Sequence, residues 1–214
     1  MDIENIIKVW EKIDLKHQNM IKKALTIKIY KANDIIYQSG FECLGLTIIK
    51  KGTLRAYMNS YNGKEITLYK LSDNDICLFS NSCSIKDLTL NINIMTITDT
   101  EVYIIPTNIY NILMGESNEF ANYINNILTN RFKEAMWTFE QTIFYNLESR
   151  IATYLLEQNK NVINITHEKI ANELGSSREV ISRILKKMET NNIIKLDRNN
   201  ITILNKNKLQ DLIQ

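Results

Sequence analysis

A chain of 214 residues, 44% hydrophobic and 23% charged, suits one large globular domain or two modest ones. No run approaches the roughly 20 apolar residues of a membrane helix, and the acidic start MDIENIIKVWEKID is unlike the basic head of a secretory leader. Three cysteines without repeated spacing exclude a disulfide framework and predict a reducing, cytoplasmic setting. The net charge of +2 is unevenly spread: residues 146–214 hold 11 Lys/Arg against 8 Asp/Glu, and residues 1–145 hold 15 against 16. A mildly basic C-terminal third is compatible with nucleic acid without demanding it.

Residues 2–24 carry Ile3, Ile6, Ile7, Trp10 and Ile13, then Met20, Ile21 and Ala24, at helical spacing with a break between the two sets. From residue 26 to 105 short β-rich runs take over: IKIY, DIIY, LTIIKKG, TLRAYMNS, EITLYKL, INIMTIT and EVYII. In TLRAYMNSYNGKEITLYKL the pair Asn62-Gly63 predicts a β-hairpin closed by a type I′ turn. Short strands at regular spacing predict an antiparallel sandwich or barrel. After Pro106 a short helix bearing Ile109, Tyr110 and Leu113 is expected to end near Gly115. The following 27 or so residues, SNEFANYINNILTNRFKEAMWTFEQTIF, lack Gly and Pro. Their stripe of Ile124, Leu128, Phe132, Ala135 and Phe139 predicts a long helix packed along a partner, either a second subunit or its own β domain.

Three helical segments and a hairpin follow. NLESRIATYLLEQNK places Leu147, Ile151, Tyr154 and Leu155 on one face. THEKIANELG begins at Thr166, an expected N-cap, and closes at Gly175. SSREVISRILKKMETNN is expected to start from Ser176, with Glu179 completing a capping box. Two short helices joined through a glycine read as a helix-turn-helix, and IIKLDRNNITILN reads as two strands of a wing around residues 197–200. In the second helix Val180, Ile181, Ile184 and Leu185 would anchor the core, leaving Ser177, Arg178, Glu179, Ser182 and Arg183 on the opposite side of its first two turns. Arginine can fork onto guanine O6 and N7, and glutamate can accept from cytosine N4. Lys186 and Lys187 follow where a phosphate backbone would run, with Thr166 and His167 opening the preceding helix nearby. A solvated face of i,i+4 charge pairs is the plainer alternative.

This order of β-rich domain, long helix and winged helix-turn-helix resembles the Crp/Fnr superfamily of bacterial transcription regulators over essentially the whole chain. THEKIANELGSSREVISRILKKMETNNII carries the most specific part of the likeness. The resemblance implies an α+β fold: a cyclic-nucleotide-binding-like β-roll (residues 1–115), a dimerisation helix (116–145) and a DNA-binding winged helix-turn-helix (146–214). It further implies a homodimer on a roughly palindromic operator in double-stranded DNA, with RNA polymerase as a further partner. Arg178, Glu179 and Arg183 match positions that read a GTGA-like or TGA-like half-site in that family, and Ser182 is similar to a serine used by its Fnr branch.

The likeness thins at the effector site. Nucleotide-binding relatives carry a Gly-Glu-Leu-like segment and an Arg-Ser or Arg-Thr pair after the hairpin. Here DICLFSNSCSIKDLTLNINI stands there, with no Arg anywhere in residues 56–130 and Lys86 a poor substitute. A cyclic nucleotide is therefore not the expected effector, and no cofactor is assigned. The histidines, His17 and His167, offer little for haem, and no cysteine precedes residue 43 to match the Fnr-branch cluster. Cys43, Cys77 and Cys83, in ECLGL and DICLFSNSC, look like those of a clostridial-type subgroup, as does MWTFEQTIF on the long helix. In the family fold the elements that carry them are neighbours, so the three thiols could approach one another, open to a structural role, a redox switch or metal ligation, though three thiolates leave a tetrahedral site one ligand short. Catalysis would need one of these cysteines with His17 or His167 as its base, and His167 belongs to the helix-turn-helix, so an enzyme is not expected. A constitutive regulator whose β-roll is only a scaffold is the remaining alternative.

Overall fold

The β-rich runs of residues 26–105 pair into two four-stranded sheets. A computed structural model describes residues 3–38, 44–61, 63–78 and 92–213. The strands are β1 (Thr26–Tyr30), β2 (Ile35–Tyr37), β3 (Leu46–Lys51), β4 (Leu54–Asn59), β5 (Glu65–Leu71), β6 (Ile76–Cys77), β7 (Ile92–Thr96) and β8 (Thr100–Ile105). One sheet runs β1-β8-β3-β6 and the other β2-β7-β4-β5. In the first, β8 lies antiparallel between β1 and β3, with Tyr103 opposite both Ile27 and Ile48. Every expected run forms a strand, and β6 is an addition too short to show a period.

Before the roll come α1 (Ile3–Ile6), a 3-10 turn (Trp10–Lys12) and α2 (Leu15–Ala24), which Asp14 caps by accepting from the His17 N–H at 2.8 Å. After it come α3 (Thr107–Glu116) and α4 (Asn118–Phe144). Gly115 lies inside α3, and Ser117 separates the two helices, its hydroxyl accepting from the Phe120 N–H at 3.4 Å. Ile3, Ile7, Trp10 and Ile21 pack with Leu46, Ile48, Tyr103, Leu113, Phe120 and Ile124 in one buried cluster. Helices thus cover one face of β3. Side chains alternate along a strand, so Thr47 and Ile49, also fully buried, face the opposite way, into the roll.

The C-terminal elements are α5 (Leu147–Glu157), β9 (Val162–Asn164), α6 (His167–Leu174), α7 (Arg178–Thr190), β10 (Ile194–Asp197), β11 (Asn200–Ile203) and α8 (Lys206–Gln210). The wing has three strands, β10-β11-β9, with Ile201 opposite both Leu196 and Ile163. Ile151, Leu155, Ile170, Ile181, Leu185, Ile194 and Leu209 belong to its separate core. By contacts the chain divides into two units, 1–57 with 68–135 and 58–67 with 136–214. The hairpin tip belongs to the second unit, where Ile66 bridges antiparallel to Leu174. At that tip Gly63 is left-handed (φ 74°), its N–H donates to the Ser60 carbonyl at 3.0 Å, and the Ser60 N–H donates to the Lys64 carbonyl at 2.7 Å. Those bonds belong to a three-residue connection with glycine last. They replace the two-residue turn expected at Asn62-Gly63; Asn62 itself lies outside the described residues.

Candidate nucleic-acid interface

The turn between α6 and α7 is built residue by residue. Thr166 caps α6 as expected, its hydroxyl accepting from the Lys169 N–H at 3.2 Å. Gly175 ends that helix in the left-handed region (φ 67°, ψ 38°), and the Ser176 N–H closes onto the Ala171 carbonyl at 3.0 Å. The Arg150 guanidinium donates to the Leu174 carbonyl at 2.7 Å, placing a cation at the helix C-terminus where the dipole favours it. Ser177, not Ser176, caps α7, accepting from the Val180 N–H at 3.4 Å. The one-residue shift makes Glu179 the second helical residue, one short of the capping-box position. Its own N–H, then the Ser177 hydroxyl, hold the Glu179 carboxyl below the usual carboxylate range, so it is an acceptor only.

Ile181, Leu185 and Met188 are fully buried and hold α7 down, while Val180 and Ile184 are half-buried. Each fully buried apolar side chain stabilises by about 1.5–3 kcal/mol, against tenths for a surface charge pair. Packing of the buried face therefore fixes the helix. On that face Arg178, Glu179, Arg183, Lys186 and Lys187 are exposed, with Ser177 and Ser182 half-buried. Lys187 is drawn back to Glu148 of α5 at 2.8 Å. Its cleft also holds Asn146 and Arg183. The Glu189 carboxylate accepts from the Leu196 N–H at 2.8 Å, tying the far end of α7 to the wing.

His167 is not simply a solvent-facing residue. Its Nδ1 lies 2.8 Å from Ser182 Oγ, joining the first turn of α6 to the middle of α7. Burial, then the nearby Arg178 charge, lower its pKa. Thr166, His167, Glu168 and Arg178 share a cleft of about 420 Å³ with Asp197, Arg198, Asn199 and Asn200 of the wing turn. Arg198 was not singled out from the sequence because only the β10–β11 pairing brings it to the mouth of α6.

The seam assigned to α4 divides in two. Ile124 is buried (2% exposed) in the chain's own cluster with Phe120, which removes it from any intermolecular contact. Leu128, Phe132 and Phe139 remain exposed, joined by Met136, Trp137 and Ile143, and Ala135 is half-buried among them. Between the two parts Arg131 bonds Asp75 at 2.8 Å and Glu134 at 2.9 Å.

In the β-roll Cys43 and Cys83, like Lys86, lie outside the described residues. Cys77 is buried (1% exposed), opposite Thr47 across β3 and β6, and so faces the roll interior. Arg55, one residue before the arginine-free stretch, is buried on β4 with its guanidinium 4.5 Å from the Tyr57 ring centre. Among the described residues no three metal-ligating side chains cluster. His17 is buried between Asp14 (2.8 Å) and Glu116 (3.2 Å). No described helix is long and apolar enough to cross a membrane.

A β-roll of the effector-binding type joined to a packed helix-turn-helix with a polar outer face defines a two-part transcription regulator. Residues 27–116 match the cyclic nucleotide-binding domain family and residues 149–212 the Crp-like helix-turn-helix domain family. The crystal structure of a Crp/Fnr-family transcriptional regulator from Eubacterium rectale is 39% identical, covers 98% of this chain and 99% of its own, and superposes with a TM-score of 0.92. The chain belongs to the Crp/Fnr family of transcription regulators and carries its DNA-binding helix-turn-helix. The cyclic AMP receptor protein of Thermus thermophilus is 22% identical over 79% of each chain. The c-di-GMP-responsive global regulator CLP of Xanthomonas campestris shares the fold (TM-score 0.75, 16% identity, 89% of this chain and 99% of that one).

Proposed function

We propose that the protein regulates transcription as a homodimer on a palindromic operator, each α7 lying in a major groove with Arg178, Glu179, Ser182 and Arg183 toward the bases. One observation carries the reading. Three fully buried residues fix α7 from below, while its first two turns expose two arginines and an ionised glutamate that no packing requires. Thr166, Ser177, Lys186, Lys187 and Arg198 flank that face as phosphate contacts. The exposed stripe Leu128, Phe132, Phe139 and Ile143 on α4 supports pairing with a second copy, since such apolar surface is costly in water. RNA polymerase is the further partner that a regulator of this family would address.

The effector we assign is not a cyclic nucleotide, because residues 56–130 hold no arginine to fork onto a buried phosphate. A sequence relative named for cyclic AMP and a structure of this fold named for c-di-GMP show that the likeness leaves the ligand open. A thiol or metal sensor would draw on Cys43, Cys77 and Cys83. Cys77 has the burial of a packed small apolar side chain, where a reactive thiol sits exposed in an electropositive setting. A constitutive regulator with a scaffold β-roll is the reading that this burial favours in second place.

The test is Arg183→Ala against duplexes carrying every base at each half-site position. Guanine preference at one position should vanish, with affinity for the best site falling by about 1–3 kcal/mol. Unchanged affinity and unchanged preference would remove α7 from the major groove.

A further inference from the structure

A serine hydroxyl is normally an ambiguous reader of DNA, because it rotates and both donates and accepts. In this chain Ser182 is not left to rotate: its Oγ lies 2.8 Å from His167 Nδ1, across the two helices of the helix-turn-helix. Whichever of the pair donates, the other must accept. The proton position on the ring therefore decides what Ser182 has left to offer on its outer side.

We infer that His167 sets the hydrogen-bond polarity with which Ser182 meets a base, and so determines the base preferred at one operator position. This rests on α7 being the recognition helix. In the neutral ring one nitrogen carries the proton, and its location follows from what the other nitrogen faces. The acceptors that line the cleft shared by His167 include two carboxylates, Glu168 on its own helix and Asp197 on the wing. A DNA phosphate entering there is another. With an acceptor such as these at Nε2, that nitrogen carries the proton, which leaves Nδ1 to receive the Ser182 hydroxyl proton. Ser182 then shows the groove only lone pairs and favours a base that donates, adenine through N6 or cytosine through N4. When the ring gains a second proton, Nδ1 becomes a donor to Ser182. The hydroxyl proton is released outward and the preference turns to a base that accepts, guanine or thymine.

Charges of both signs line the cleft around the ring. Arg178 of α7 opposes the second proton, and Arg198, Glu168 and Asp197 are the other charged groups there. Partial burial and Arg178 together hold the ring below its ordinary pKa. The neutral state thus prevails near pH 8, and the doubly protonated state is reached on acidification. Nothing here requires the domain to move; one proton changes what one hydroxyl says.

The measurement is selection of duplexes with randomised inverted half-sites by the full-length protein, at pH 8 and at about pH 5.5, for four versions of the chain. The wild type should prefer adenine or cytosine at one position at pH 8 and shift toward guanine or thymine at the lower pH, by on the order of fivefold. His167→Gln, which keeps a hydrogen-bonding side chain but does not titrate, should show one preference at both values. Ser182→Ala should lose the preference at that position at both values and keep it elsewhere. A wild-type preference that ignores pH, or a pH shift that survives in His167→Gln, overturns the assignment of His167. Should neither Ser182→Ala nor Arg183→Ala alter preference at any position, the recognition-helix reading falls instead.

Discussion

At the scale of single residues, Gly175 shows how tightly the helix-turn-helix is specified. Its φ of 67° suits glycine, and a side chain there would bring its Cβ within 3.3 Å of Ile66. Placing an L side chain in that region costs about 1–2 kcal/mol. Gly175→Ala should therefore lower the urea midpoint by the equivalent of about 1–2 kcal/mol with an unchanged slope; an unaltered midpoint would mean that the turn relaxes freely. Single residues were also where sequence reasoning was weakest. The cap of α7 is Ser177 rather than its neighbour Ser176, because two serines in a row satisfy the same local rule and only the backbone chooses. The His167–Ser182 bond joins residues 15 apart on two helices, and no periodicity announces such a pair. Arg198 reaches the cleft through the wing pairing of Asp197 with Asn200, which local pattern does not place beside α6.

At the scale of elements, the strands and long helices that local pattern dictates were legible, while the turn at the hairpin tip was not. The seven β-rich runs, the 27-residue α4 and the helix–glycine–helix unit all form where period and punctuation put them. Strand β9, three residues long, was missed because it exists through its pairing with β11 across the wing. The five-residue α8 is likewise held by Leu209 in the core rather than by its own propensity. On α4 the apolar stripe was visible, but not that it divides: its first part, with Phe120 and Ile124, packs in the chain's own core, and its later part stays exposed. The later part should be the subunit seam. Phe132→Glu, at a side chain already 63% exposed in the single chain, should leave the fold intact and weaken the dimer by at least about 2 kcal/mol. Sedimentation would show a monomer at micromolar concentration. A dimer of unchanged stability would place the seam elsewhere.

At the scale of the molecule, the fold fixes a regulator whose reading head and effector-type domain have separate cores. Two-fold pairing through α4 would turn one weak reader into two, and the second half-site then binds at the effective concentration set by the first. Phosphate contacts from both subunits should make affinity fall steeply with salt. Within the β-roll Cys77 and Arg55 are both buried. The most direct measurement compares two duplexes: a selected operator with half-sites one helical turn apart, about 10–10.5 base pairs, and the same operator with five base pairs inserted at its centre. Insertion rotates one half-site by half a turn, out of reach of the second α7. The dimer reading predicts one dimer per operator and a loss of affinity of about 100-fold or more on insertion. Equal affinity for the two duplexes would contradict it.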